Sequence, residues 1–142
     1  MRKVILMLLL AVVSSSAMAE WVAAGSGESS ITYADPATIS KAGNIVKMWW
    51  LDDFKKADTA ANGKAYMSMK GQDEFDCKRE QSRQLNFSFY AEHMGAGEMV
   101  YNETLKHPKW YPVSPGSAGD TLWKIACGKK QASYYPGIHR AV

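Results

Sequence analysis

Two cysteines, Cys77 and Cys127, are the side chains with the widest choice of chemistry in this sequence. A thiolate can act as a nucleophile or as a metal ligand, and two thiols can oxidise to a disulfide. Cys77 stands among charged residues in the run "DEFDCKRE". Three roles are therefore open for it, and the compartment in which the protein folds decides between them.

The N-terminus predicts export. Arg2 and Lys3 precede an apolar run over residues 4–13, and the small residues Ala17 and Ala19 follow. Ten apolar residues are too few for a transmembrane helix, which needs about 20. We therefore expect a signal peptide over residues 1–19, and no cysteine stands near the cut to accept a lipid. The sequence predicts a periplasmic protein, or one displayed on the outer surface or secreted, that is not lipidated.

A disulfide is the favoured role for the two cysteines in an oxidising compartment. Closing the loop from Cys77 to Cys127 stabilises a fold by roughly 4 kcal/mol in the chain-entropy model. Oxidation also removes the thiolate that a nucleophilic partnership with His93 would need.

No other residues have the spacing of a catalytic site. The three histidines are scattered along the chain, and "GSGES" at residues 25–29 does not match a nucleophile elbow. The run "GAG" lacks the third glycine of a dinucleotide-binding loop. We expect neither enzymatic activity nor a cofactor.

A copper(I) site is a weaker hypothesis. Met67 and Met69 are soft thioether ligands in an exported chain. Both fall on the apolar side of an extended segment, where methionine commonly fills gaps in the core. Core packing is favoured, and no metal is expected.

Charged and aromatic residues suggest a binding surface. Trp49 and Trp50 are adjacent, so in a strand they point to opposite sheet faces and one of them faces away from the core. The charged run that contains Cys77 has an ordinary interpretation as a solvated rim, which is favoured, and a functional one as a recognition surface. The candidate surface comprises Trp49, Trp50, Lys70, Glu74, Arg79 and Arg83.

The elements that would position these residues are strands followed by one helix. From residue 66 to 77, apolar and polar residues alternate, with Met69, Phe75 and Cys77 on one side and Tyr66 on the polar side. This alternation indicates an antiparallel sheet with one buried face. The run "DPATI" predicts a single helical turn, and "KKADTAANGK" predicts a loop.

A helix is predicted over residues 118–127. Ser117 and Asp120 resemble a capping box, and Gly128 suits a helix end. A bond between Cys127 and Cys77 would fasten this helix across the apolar face of the sheet. The fold class is therefore α+β, with a single antiparallel sheet and one C-terminal helix.

Charge excludes a nucleic-acid partner. Without Arg2 and Lys3 the chain has 15 basic residues against 14 acidic ones, a net charge of +1. A balanced chain lacks the basic field that nucleic acids attract. The length after the signal peptide suits one domain, and no segment there is apolar enough to span a membrane.

Four stretches together resemble the surface-adhesin protein E family. They are, in order, "ITYADPATI", "GNIVKMWWLDDF", "KGQDEFDCKRE" and "PGSAGDTLWKIAC". The resemblance implies a sheet of about six antiparallel strands, with a C-terminal helix held to its concave face by a Cys77–Cys127 disulfide. It also implies a homodimer and protein ligands such as host vitronectin, laminin or plasminogen.

We therefore expect a signal peptide at 1–19, a surface-adhesin E-like domain at 20–128 and a flexible tail at 129–142. The expected function is that of an exported, non-enzymatic, adhesin-like module that binds a protein, such as a host matrix or plasma protein. The alternative is a periplasmic structural protein or an enzyme inhibitor of the lysozyme-inhibitor type.

Overall fold

A computed structural model describes residues 20–129, and the expected signal peptide and residues 130–142 of the tail lie outside the described residues. Six strands form one antiparallel sheet in the order of the chain, and a two-residue strand joins its edge beside β5. The strands are β1 (Val22–Ser26), β2 (Ser30–Ala42), β3 (Ile45–Thr59), β4 (Ala65–Asp76), β5 (Gln81–Tyr90), β6 (Met99–Thr104) and β7 (Tyr111–Pro112). The expected sheet is confirmed.

The single helix, α1 (Ala118–Ala126), begins where the sequence predicts. The hydroxyl of Ser117 accepts a hydrogen bond from the backbone N–H of Asp120 (3.1 Å). The Asp120 carboxylate accepts from the Gly116 N–H (3.0 Å) and pairs with Lys124 (2.9 Å). The Ser117 contact satisfies a backbone donor that the first helical turn would leave unpaired, and Asp120 places a negative charge at the helix N-terminus.

The helix buries its apolar side against one face of the sheet, beside β1, β2 and β3. Leu122, Trp123 and Ala126 enter a core cluster, and the indole N–H of Trp123 donates to the Asp76 carbonyl (2.9 Å). The strand residues of this cluster are Ala24, Ala34, Val46, Met48, Trp50 and Phe75. We call this side of the sheet the helix face.

Cys77 and Cys127 form a disulfide with their Cα atoms 5.6 Å apart, which confirms the predicted pairing. Cys77 follows β4 in a tight turn. The Asp76 carboxylate shapes this turn by accepting the backbone N–H groups of Lys78 (3.0 Å) and Arg79 (2.9 Å). The bond therefore joins the end of α1 to the β4–β5 turn.

The predicted helical turn at "DPATI" is wrong, because β2 continues through it. Its pairing with β3 is irregular between Asp35 and Ser40. The Asp35 carboxylate accepts from the Ala37 N–H (3.2 Å), and the Thr38 hydroxyl accepts from the Trp49 N–H (3.0 Å). Asp35 therefore shapes a bulge rather than capping a helix.

Two other predictions fail in β3 and β4. The segment 55–59, predicted as part of a loop, extends β3, and its pairing with β4 shifts between Asp53 and Asp58. Tyr66, expected on the polar side, is buried and stacks on Phe89 with ring centroids 4.0 Å apart. The register shift explains why simple alternation misplaces Tyr66.

Candidate functional site

The sheet surface opposite α1 carries most of the predicted binding residues, and we call it the open face. Cross-strand partners share a face of the sheet. Trp49 lies in one row with Gln72 and Asn86, and these two amides are hydrogen-bonded (3.2 Å). Glu74 and Arg83 are direct partners in a parallel row. The strand pairing therefore places four of the predicted binding residues on one surface: Trp49, Lys70, Glu74 and Arg83.

Glu74, Arg83 and Trp110 form a compact group at one end of the open face. A terminal nitrogen of Arg83 contacts both Glu74 carboxylate oxygens at 3.2 and 3.4 Å. The guanidinium carbon lies 4.4 Å from the centroid of the Trp110 ring, within cation–π range. The Arg83 Nε is buried and has no hydrogen-bond partner among the described residues. Such an unsatisfied donor costs about 1–3 kcal/mol.

Lys70 lies between two aromatic rings on the same face. Its Nζ is 5.0 Å from the Tyr90 ring centroid and 5.9 Å from that of Trp21. Gly95 makes room for this arrangement, because a Cβ at that position would lie 2.2 Å from the Lys70 Cε. The Lys70 ammonium is thus held by aromatic contacts, without a carboxylate partner among residues 20–129.

A short 3₁₀ turn (His93–Gly95) covers part of the open face. The Asp53 carboxylate accepts the Met94 N–H (2.8 Å) and lies 3.0 Å from the His93 Nδ1. The Ser68 hydroxyl accepts the Gly95 N–H (2.8 Å). Leu51 and Ser68 are fully buried, so this part of the face is not available to a ligand.

Two predicted binding residues lie elsewhere. Trp50 is on the helix face and only 8% exposed, so any effect on recognition would be indirect. Arg79 is exposed in the β4–β5 turn, which follows the end of β4 at Asp76. Arg79 therefore lies outside the sheet, in the turn that follows the Glu74–Arg83 end of the open face.

Asp73 is an unusual carboxylate that the sequence analysis did not single out. The Trp50 indole N–H donates to it (2.8 Å), and the Trp50 ring lies across Gly71, where a Cβ would be 2.3 Å from the indole Cζ2. Burial raises the pKa of Asp73 to about 6, against the opposing effect of the Trp50 hydrogen bond. The signal available in the sequence was one carboxylate on the otherwise apolar side of β4.

Asp52 is a second carboxylate on the helix face. It accepts a hydrogen bond from the Thr32 hydroxyl (2.5 Å), and burial raises its pKa. Its charge also raises the pKa of Asp73. The described residues contain no group of three or more His, Cys, Asp or Glu side chains that could hold a metal ion.

Met69 packs against the core of the helix face, as predicted for it, whereas Met67 is half-buried and belongs to neither core cluster. None of the helices within residues 20–129 is both long and apolar enough to cross a membrane.

Comparison with known proteins agrees with this architecture. The family model described as surface-adhesin protein E matches residues 21–128. The structure of protein E from Haemophilus influenzae superposes with a TM-score of 0.55 at 16% identity, covering 74% of this chain and 88% of that one. A second crystal form gives a TM-score of 0.56 at 17% identity, with coverages of 78% and 97%. At these identities the structural likeness shows the fold alone, and no curated protein matches the sequence.

Proposed function

The chain belongs to the surface-adhesin protein E family, and on that premise we propose that it is an exported, non-enzymatic, adhesin-like protein that binds a protein ligand through its open face. The expected signal peptide at residues 1–19 supports export. By family likeness, the ligand class is host matrix or plasma protein, represented by vitronectin, laminin and plasminogen.

The Glu74–Arg83–Trp110 group is the observation that carries this proposal. Arginine and tryptophan are the residues most often found at the energetic centres of protein interfaces. The Arg83 side chain is 29% exposed, so part of its guanidinium remains accessible to an acceptor of a partner, and the half-buried Trp49 ring supplies apolar area nearby.

Binding of the oxidised protein to immobilised vitronectin, laminin and plasminogen tests the proposal. Trp49→Ala and Arg83→Ala should each weaken binding by about 2 kcal/mol, which is roughly thirtyfold in Kd. Lys41→Ala is the matched control, since Lys41 is exposed and lies outside the open face. Binding that is equal in all four proteins would count against the open face, and no binding to any ligand would remove these three partners.

Cell fractionation separates the leading function from the alternative. A protein that is confined to the periplasm cannot meet host ligands, and inhibition of a lysozyme-type enzyme would then be the function to assay. Surface accessibility to an added protease in intact cells would support the adhesin-like function.

Self-association is part of the same proposal. The helix face beyond α1 carries an aromatic cluster of Phe54, Tyr66, Phe87, Phe89 and Tyr101, whose rings contact one another at 4.0–5.9 Å. Tyr66 is buried, but the other four rings are only partly covered. Partly exposed aromatic clusters of this kind mark interfaces. Sedimentation should give the mass of a dimer, and Phe87→Ser should shift it to a monomer.

A further inference from the structure

Three parts of the chain meet at one end of the sheet: the β2–β3 turn, the β4–β5 turn and the end of α1. The strand ends are level there, because four residues form one cross-strand row: Ala42, Ile45, Asp76 and Gln81. The Cys77 N–H donates to the Asn44 carbonyl (2.9 Å), and the disulfide joins Cys77 to the residue that follows α1. We call residues 41–47, 76–80 and 127–129 the disulfide end.

The disulfide end carries an excess of positive charge. Its basic side chains are all exposed: Lys41, Lys47, Lys78, Arg79 and Lys129. None of them forms an ion pair with a carboxylate of residues 20–129. Its two acidic residues are Asp76 and Glu80, and the Asp76 carboxylate already accepts two backbone N–H groups, at 2.9 and 3.0 Å. Five positive charges against two negative ones leave a net charge of +3.

The opposite end of the described sheet has no such excess. Its turns comprise residues 27–29, 55–64 and 91–98 and carry four carboxylates against three lysines. One of these lysines, Lys64, is neutralised by Glu98 (3.0 Å). The balanced net charge of the whole chain therefore conceals a separation of charge along the strands, and the disulfide end is its positive pole.

The disulfide end presents its charges on protruding turns. Gly43 and Gly128 both have a left-handed backbone (φ 62° and 67°), and a Cβ at either position would meet nothing within 4 Å beyond its chain neighbours. Both turns therefore project into open space. Charges on three separate turns match a planar anionic surface, whereas a single peptide or sugar chain would need a groove to hold it.

The sequence that follows Lys129 adds to this charge. Residues 130–142 continue from the disulfide end and contain Lys130 and Arg140 but no aspartate or glutamate. They also contain Tyr134 and Tyr135, and tyrosine is enriched where proteins meet the membrane–water interface. The composition of this segment therefore suits a lipid surface of negative charge.

We propose that the disulfide end attaches the protein to an anionic lipid surface through the phosphate groups of the lipids. Lysine and arginine near such a surface are attracted to it, and several together give reversible attachment. The sheet would then stand on its end, with the open face directed sideways and accessible to a protein ligand. This inference goes beyond the proposed function, because it concerns where the protein is held and not what its open face binds.

Cosedimentation with vesicles tests the proposal. The oxidised protein without its expected signal peptide should bind vesicles of equimolar phosphatidylglycerol and phosphatidylcholine, but not vesicles of phosphatidylcholine alone. Binding should be lost in about 1 M NaCl, where the Debye length falls to about 3 Å. Equal binding to the two kinds of vesicle, or binding that this salt leaves intact, would overturn the proposal. Inorganic phosphate that displaces the protein better than sodium chloride of equal ionic strength would replace the lipid surface with a site for free phosphate.

Two double variants of equal charge locate the contact. Lys78→Gln with Arg79→Gln removes two charges from the disulfide end and should weaken vesicle binding roughly thirtyfold. Lys55→Gln with Lys56→Gln is the matched control, since it removes two exposed charges from the opposite end. The control should weaken binding no more than about threefold, because distant charges are screened. An equal loss in the two double variants would show that only the net charge matters and would contradict the assignment.

Trp49→Ala separates this surface from the open face. Trp49 lies outside the disulfide end, so this variant should bind vesicles like its parent, even if it no longer binds a protein ligand. Loss of vesicle binding in Trp49→Ala would move the lipid contact to the open face and overturn the proposal. Failure of the oxidised parent to bind vitronectin, laminin or plasminogen would weaken the proposed function and leave the lipid contact standing.

Discussion

Single residues in this fold take their properties from neighbours on other strands. Asp73 is an example, because burial in the folded protein raises its pKa, while the hydrogen bond from Trp50 of β3 opposes that rise. The sequence predicted that Trp49 and Trp50 would face opposite ways, which the structure confirms. It could not predict which of the two would be covered, since that depends on where α1 docks. Nor could it reveal the partnership of Arg83 with Trp110, 27 positions apart in the chain.

Titration of Asp73 should make stability fall as pH rises. Its pKa is about 6 in the folded protein and near 3.8 when unfolded, so between these values the folded state binds more protons. The free energy of unfolding should decline by about 2–3 kcal/mol from pH 4 to pH 7 through this group. Asp73→Asn should remove most of that decline in urea denaturation, whereas Glu28→Gln, at an exposed position, should not. If the decline of stability with pH persists in Asp73→Asn, other titrating groups must cause it.

At the scale of secondary-structure elements, local sequence patterns predicted an element correctly only where contacts within that element stabilise it. The helix was predicted to within a residue because its cap lies within its own first turn, at Ser117 and Asp120. The stretch after Asp35 was missed because Thr38 makes its decisive hydrogen bond to Trp49, on the next strand. Tyr66 was misplaced because the pairing of β3 with β4 slips, which alternation within β4 cannot show.

The helix cap should therefore be a local contribution to stability. Ser117→Ala removes the acceptor for the Asp120 N–H and should cost about 1 kcal/mol in the free energy of unfolding. Ser114→Ala is a suitable control, because only the backbone carbonyl of Ser114 takes part in this turn. If the two variants have the same free energy of unfolding, water replaces the Ser117 cap without a cost in stability.

At the scale of the whole molecule, one covalent bond ties the last element to the middle of a sheet built in chain order. Replacing both Cys77 and Cys127 with serine should leave the sheet formed and free α1 to open. The free energy of unfolding should fall by up to about 4 kcal/mol if the chain-entropy model of disulfide stabilisation holds in full. Hydrogen exchange should quicken first at residues 118–127 and remain slow at the centre of β3 and β4. If the doubly substituted protein melts like its oxidised parent, the disulfide contributes less than this architecture implies.

The same bond has a mechanical consequence. Cys77 and Cys127 are 50 positions apart, so everything between them lies inside a closed covalent loop. A tension applied between the two termini would travel through the sulfur bridge and bypass β5, β6, β7 and α1. The loop between the two cysteines has a contour length of roughly 170 Å, and this length would not extend under the tension. Under shear, β1 to β4 would bear the load, while β5, β6 and β7 would keep their pairing until the bridge is reduced.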